Sequence, residues 1–159
     1  HKNGLLHKEL NIPSDYKIIG NIAEFTGFKD HVTWVNTVAE LVKRNTLKAK
    51  YVLIGKGKLE QDVRQQVKDL NLEEHIIFAG FRKNIPELLP EFDLFMFTSN
   101  NEPTGGVLLE SYACKVPIVA ANAGGIPEVI VDNEKNHWNN FVFFINFQLR
   151  LRSYFKILR

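Results

Sequence analysis

The sequence predicts a doubly wound α/β domain, a Rossmann-like parallel sheet covered by helices on both faces. Three observations carry this prediction. Short apolar runs recur along the chain, they are not broken by the in-out alternation of a half-exposed sheet, and segments of helical period separate them. With 159 residues, 45% of them hydrophobic, the chain can close one core without a disulfide or a metal to hold it.

The elements follow in order. Residues 17–20 read as the first strand, and residues 31–43 as a helix with Val35, Val38, Ala39 and Val42 on one stripe. Tyr51, Val52, Leu53 and Ile54 form the next strand, and Leu59, Val63, Val67 and Leu70 stand at helical spacing behind it. Residues 75–79 are a strand, 85–89 a short helix, 93–97 a strand, 106–114 a helix and 117–121 a strand, and residues 126–130 open a further helix. In such sheets ligands sit at the carboxyl ends of the strands, so the loops to search are 21–30, 55–58, 80–84, 99–106 and 122–125. No internal repeat or low-complexity linker interrupts this order.

Composition excludes several classes of function. The formal charge of +2 hides an asymmetry, because Lys135, Arg150, Arg152, Lys156 and Arg159 follow the last acid, Glu134, and residues 1–134 carry −3. A mildly acidic body is a poor surface for tracking phosphates along nucleic acid, so nucleic acid is not an expected partner. No run reaches the 18 or so apolar residues of a spanning helix. Cys114, the only cysteine, sits in an apolar helical pattern and reads as a small buried hydrophobe, which fits a reducing compartment. His1, His7, His31, His75 and His137 are scattered without ligand spacing, so they read as surface or packing residues and no metal site is expected. The chain opens without an initiator Met or a leader pattern and is expected to be a fragment of a longer protein.

Chemistry concentrates in the loop after residue 98. Ser99, Asn100, Asn101, Glu102, Pro103, Thr104, Gly105 and Gly106 follow a buried strand and open a helix. The two glycines allow close approach of the backbone, and first-turn amides with the positive end of the helix dipole would face an anion there. Glu110 stands four residues after Gly106, one turn along the same face, while Glu102 approaches from the loop side. Carboxylates beside a phosphate suit vicinal sugar hydroxyls, which donate to both oxygens, so the pattern describes a phosphate with a sugar on either side. The plainer alternative is a tight Gly-Gly turn with two glutamates favoured by the dipole. A second alternative, a glycosidase pair, has no use for a phosphate cradle between its carboxylates. Gly55, Lys56 and Gly57 begin a dinucleotide fingerprint, but Glu60 stands where the third glycine would fall.

The surrounding segments decide between these readings. Glu102 and Glu110 are separated by seven residues, then come Val116, Pro117, Ile118, Val119 and Ala120, and then Ala123, Gly124, Gly125, Ile126, Pro127 and Glu128. Together with the stretches 52–60 and 77–81, in this order and spacing, they make the chain resemble the group 1 glycosyltransferases of the GT-B fold over roughly residues 5–134. The resemblance implies that the chain is the C-terminal, nucleotide-sugar-binding half of a retaining hexosyltransferase that uses a UDP- or GDP-sugar and a glycan or lipid acceptor. It implies that Glu110 holds the ribose hydroxyls and that Glu102, the catalytic candidate, contacts the transferred sugar. Gly105, Gly106 and Val107 would offer amides to the diphosphate, Lys29 would set a cation against it, and Phe81 and Arg82 would pack and recognise the base. No metal or other cofactor is implied, since dipole, amides and basic side chains stabilise the leaving diphosphate. The implied partners are the nucleotide sugar and an N-terminal acceptor domain outside this chain. The implied location is the cytoplasm, with room for peripheral contact at the inner face of the membrane.

Three departures stand against the resemblance. Five positions before Lys29 the family carries an arginine on the diphosphate, and here stands Glu24. At ~4 Å and an effective dielectric of ~20 a unit pair is worth about 4 kcal/mol, so an attraction of that order becomes a repulsion if Glu24 faces the phosphates. Pro103 and Thr104 replace the usual Gly-Phe pair. After Asn136 the resemblance ends, and residues 137–159 are expected to form an atypical aromatic and basic tail, with residues 141–145 serving as the last strand. The break points to a shifted reading frame or an early stop, which sequencing of the gene tests: a family-like ending in the same frame would refute it. The competing reading, a tail lying on a membrane surface, lacks a helical apolar stripe. Glu24 and the tail also keep open a degenerate nucleotide-binding remnant without catalytic role.

Overall fold

The computed structural model describes residues 2–101, 105–129 and 142–145, with side chains through residue 127. Helix α1 (Leu5–Glu9) leads into β1 (Lys17–Ile22), a short 3-10 turn (Gly27–Lys29) and α2 (His31–Arg44). There follow β2 (Ala49–Ile54), α3 (Glu60–Asp69), β3 (Ile76–Gly80), α4 (Ile85–Leu88) and β4 (Leu94–Phe97). The order ends with α5 (Gly106–Ala113), β5 (Ile118–Ala121), α6 (Ile126–Val129) and β6 (Val142–Ile145). The strands form one parallel sheet in the order β3-β2-β1-β4-β5-β6.

The unbroken apolar runs have a direct cause. Ile18, Val52, Phe95, Ile118 and Ala120 pack into one core, while their neighbours Ile19, Tyr51, Leu53, Met96 and Val119 pack into a second core on the other face. With both faces buried, no strand position near the middle is left for a polar side chain. Strands β1 and β2 run further than the apolar runs alone indicate, because the ladder is a backbone property: Lys17 pairs with Ala49 and Ile22 with Ile54. Gly20 lies under Phe92, whose ring would stand 2.3 Å from a Cβ placed there.

Helix α2 starts and stops where its capping residues dictate. The Asp30 carboxylate accepts the Thr33 amide at 3.1 Å, and Asn45 ends the helix in the left-handed region at φ 47°. Its Trp34 indole donates to the Met96 carbonyl at 3.1 Å, and the buried Asn21 amide donates to the same oxygen at 2.8 Å. These bonds tie α2 and the end of β1 to β4. The chain winds outward from β1 through β2 to β3, then returns to the other side of β1 and winds away through β4, β5 and β6. Chain direction therefore switches between β1 and β4, and the crevice at their carboxyl ends is where such a sheet binds ligands.

Helix α1 and two 3-10 turns, Gly27–Lys29 and Leu89–Glu91, were not expected from sequence. Helix α1 has five residues and a left-handed Gly4 at its start without a side-chain cap. Buried Leu6, an Asn3 amide donated to Glu91 at 2.7 Å and a Glu9–Arg82 pair at 3.2 Å hold this segment to the body. The expected last strand at 141–145 is found as β6, paired in parallel with β5 from Val142 to Ile145.

Candidate functional site

The carboxyl ends of β1, β2 and β3 enclose a cleft of about 460 Å³. Ile22, Ala23, Ile54 and Ile85 give it an apolar floor, and Glu24, Lys56, Phe81 and Arg82 stand around it. Its walls are held together by backbone. Ala23 donates to the Ile54 carbonyl at 3.0 Å, Phe25 to Lys56 at 3.2 Å and Gly55 to Gly80 at 3.0 Å. Close approach of these loops explains the Gly55 and Gly57 pair. A Cβ at Gly55, which has φ 151°, would stand 2.0 Å from the Ala23 oxygen, and one at Gly57 would stand 2.6 Å from the Phe25 backbone. The glycines thus serve loop-to-loop packing and not a dinucleotide fingerprint.

Across the β1–β4 switch lies the start of α5. The Ser99 hydroxyl and the Asn100 amide both donate to the Phe28 carbonyl at 2.9 Å, and the Thr98 hydroxyl donates to Asp30 at 2.9 Å and to Lys29 at 3.2 Å. The loop carrying Lys29 is therefore strapped to the end of β4, and the Lys29 ammonium stands 5.5 Å from the centre of the Phe97 ring. Gly105 precedes α5 in the left-handed region at φ 54°, and its carbonyl accepts the amides of Leu108 and Leu109. The amides of Gly106 and Val107 belong to the first turn, which has no acceptor inside the helix, and they lie at the positive end of its dipole. Among the described residues nothing lies within 4 Å of where a Gly106 side chain would stand. Glu110 follows one turn later and is exposed.

Two further ionisable groups, His31 and Asp93, have structural explanations. His31 is buried against Phe25, with ring centres 4.3 Å apart, and desolvation pushes its pKa down to about 4 against the partial opposition of Asp30. It is a packing residue. At the opposite, amino end of the sheet a depression of about 580 Å³ is lined by Lys2, Asp93, Cys114 and Lys115 among others. Burial raises the Asp93 pKa, but bonds from Lys2, the Ile18 amide and Lys17 outweigh it and hold the carboxyl below its usual range. Cys114 ends α5 partly buried, packed against the first core rather than enclosed in it. Among the described residues no three His, Cys, Asp or Glu side chains gather to hold a metal ion, and no helix is long and apolar enough to cross a membrane.

Of the sequence-derived candidates, Glu24, Phe81 and Arg82 line the cleft, Lys29 ends the 3-10 turn after β1, Gly105 caps α5, and Gly106, Val107 and Glu110 lie in its first turns. The Arg82 side chain is engaged already, donating to the Ala79 carbonyl at 3.0 Å and pairing with Glu9 at 3.2 Å. Glu102, Pro103, Thr104 and the tail other than β6 lie outside the described residues, as does the side chain of Glu128. Sequence reasoning missed Lys56 as a cleft residue, although Gly55 and Gly57 marked its loop.

The chain matches the family of glycosyl transferases group 1 over residues 3–148. It is 38% identical over 125 residues to N-acetyl-alpha-D-glucosaminyl L-malate synthase of Bacillus anthracis, a match covering 79% of this chain and 32% of that protein. The chain thus spans about a third of the length of this curated relative. Among solved structures it is similar to Anabaena Alr3699/HepE in complex with UDP and glucose, at 28% identity and TM-score 0.73, covering 90% of this chain and 38% of that one. The C-terminal domain of the glycosyl transferase group 1 protein LpcC from Francisella tularensis is 25% identical with TM-score 0.72, covering 92% of this chain and 76% of that domain.

Proposed function

Because this chain belongs to the group 1 glycosyl transferases, we propose that it is the donor domain of a retaining hexosyltransferase that binds a UDP- or GDP-sugar. One observation carries the proposal: an apolar cleft at the ends of β1, β2 and β3 lies beside the β1–β4 switch, where the Lys29 loop is strapped to the end of β4, the strand that precedes the glycine-led start of α5. A nucleoside diphosphate has matching parts. The base fits the cleft beside Phe81, and the diphosphate fits the amides of Gly106 and Val107 near Lys29. Glu110, one turn along α5, is assigned the ribose hydroxyls, and Glu102 the transferred sugar. The UDP and glucose bound by Anabaena Alr3699/HepE support a UDP-sugar as the first donor to try.

In the reaction the bond from the anomeric carbon to the β-phosphate oxygen breaks and a bond to the acceptor oxygen forms. Negative charge grows on the departing diphosphate, and we assign its stabilisation to the first-turn amides of α5, the helix dipole and Lys29, and not to a metal. The acceptor, a glycan or lipid, is assigned to an N-terminal domain, so residues 1–136 alone bind donor without transferring sugar. The site assigned here lies on the cytoplasmic side of any membrane the acceptor occupies.

Calorimetry with UDP, GDP and their sugars tests the proposal. One nucleotide is expected to bind, and Glu110→Ala to weaken it about tenfold or more through loss of charge-assisted bonds to the ribose. A folded chain that binds none at millimolar concentration would instead support the second reading, a degenerate remnant, which the carboxylate of Glu24 in the cleft favours.

A further inference from the structure

The charge reversal at Glu24 does not stand alone in the cleft. The Phe25 amide donates to the Lys56 carbonyl at 3.2 Å, and the Leu59 amide donates to the Phe25 carbonyl at 3.1 Å. Gly57, with no room for a Cβ against the Phe25 backbone, locks the same contact. The β2–α3 loop is thereby fixed alongside residues 24 and 25, and both Glu24 and Lys56 line the cleft. The negative charge of Glu24 in the cleft thus has a positive one on the adjoining loop.

The Lys56 side chain is placed to be recruited. Its ammonium rests 4.8 Å from the centre of the Phe81 ring, and that ring is 55% exposed. An ammonium on an exposed aromatic face is weakly held, and the lysine stem is flexible with three rotatable donors. A nucleobase stacking on the same face of Phe81 displaces the ammonium, and a freed ammonium in an apolar cleft finds its best partner in an anion. Lys29, across the end of β1, approaches the diphosphate from the other side.

We propose that Lys56 is a specificity-determining residue of the donor site, supplying the positive charge that Glu24 does not: it leaves Phe81 when the base binds and turns onto the diphosphate. The proposal rests on the donor-binding reading above. It makes the diphosphate, more than the nucleoside, the part of the donor that Lys56 recognises, and it makes Glu24 tolerable because the two side chains together leave the cleft mouth neutral.

The test is calorimetry on the 159-residue chain with UDP against uridine and GDP against guanosine, using wild type, Lys56→Met and the double variant Lys56→Met with Glu24→Arg. Methionine keeps apolar cover on Phe81 and removes only the charge. Lys56→Met is expected to weaken the preferred diphosphate about tenfold while its nucleoside changes less than about twofold, with the loss shrinking at high salt. The double variant should regain most of the affinity. Unchanged diphosphate binding in Lys56→Met, or equal weakening of diphosphate and nucleoside, overturns the role given to Lys56 and leaves the donor site standing. Wild type that is folded by circular dichroism yet binds no diphosphate overturns the donor reading itself, and this proposal with it.

Discussion

At the first position of α2 a buried imidazole lies flat on Phe25 with its pKa pushed down to about 4. Unfolded, the same group titrates near 6.5. Above that pH it is neutral in both states and costs nothing; as pH falls below 6.5 the unfolded chain takes up a proton that the folded chain refuses until about 4. Stability is therefore expected to fall across this window by up to about 3 kcal/mol and to level off below it. Urea unfolding between pH 7 and 4 measures this, and His31→Phe should flatten that part of the profile. Asp93 adds a separate loss further down, since its carboxyl is held below its usual range in the folded state and its stabilisation goes as pH falls through the carboxylate range. At this scale the sequence pointed to residues with a local signal, such as Gly105 and Gly106 at the start of α5, while the Asp30 that caps α2 was seen only in the structure. Lys56 escaped notice because its importance comes from Glu24 and Phe81, 32 and 25 positions away and brought beside it only by the sheet.

Among the elements, strands were the most legible, because burial on both faces leaves an unbroken apolar signature that nothing else in the chain imitates. Helix α1 left no such trace. Five residues give too little periodicity, and its anchors, Glu91 and Arg82, are remote. In the β2–α3 loop two glycines begin a phosphate-binding pattern that Glu60 breaks, and the structure shows what they do instead: they bring two loops into contact. Gly55→Ala meets both a φ of 151° and a 2.0 Å clash with the Ala23 oxygen. We expect a loss of about 2–3 kcal/mol in chemical unfolding, with nucleotide affinity reduced as the β1 and β2 loops are pushed apart. An alanine variant of native stability would contradict the packing role given to this glycine.

For the molecule as a whole, the alternation of strands and helices was enough to predict a doubly wound sheet and to direct attention to the carboxyl ends of its strands. Which loops meet was not legible, because strand order depends on crossovers that no local pattern encodes. The sheet order places β1 between β2 and β4, and this sets the carboxyl-end cleft and the start of α5 on either side of the switch. The carboxyl-end cleft is the smaller of the two cavities described, yet it is the one at the switch point; the depression at the amino ends is lined by groups that already pair with one another. The central claim is thus that one ligand spans both halves of the site. Backbone amide shifts recorded during titration of the labelled chain with UDP, or with GDP if it binds better, test this most directly. We expect Ala23, Gly55, Lys56, Phe81 and Arg82 to shift along with Lys29, Gly106, Val107 and Glu110 at a single midpoint. Shifts confined to one of the two groups, or centred instead on Lys2, Asp93 and Lys115 at the far end of the sheet, would contradict it.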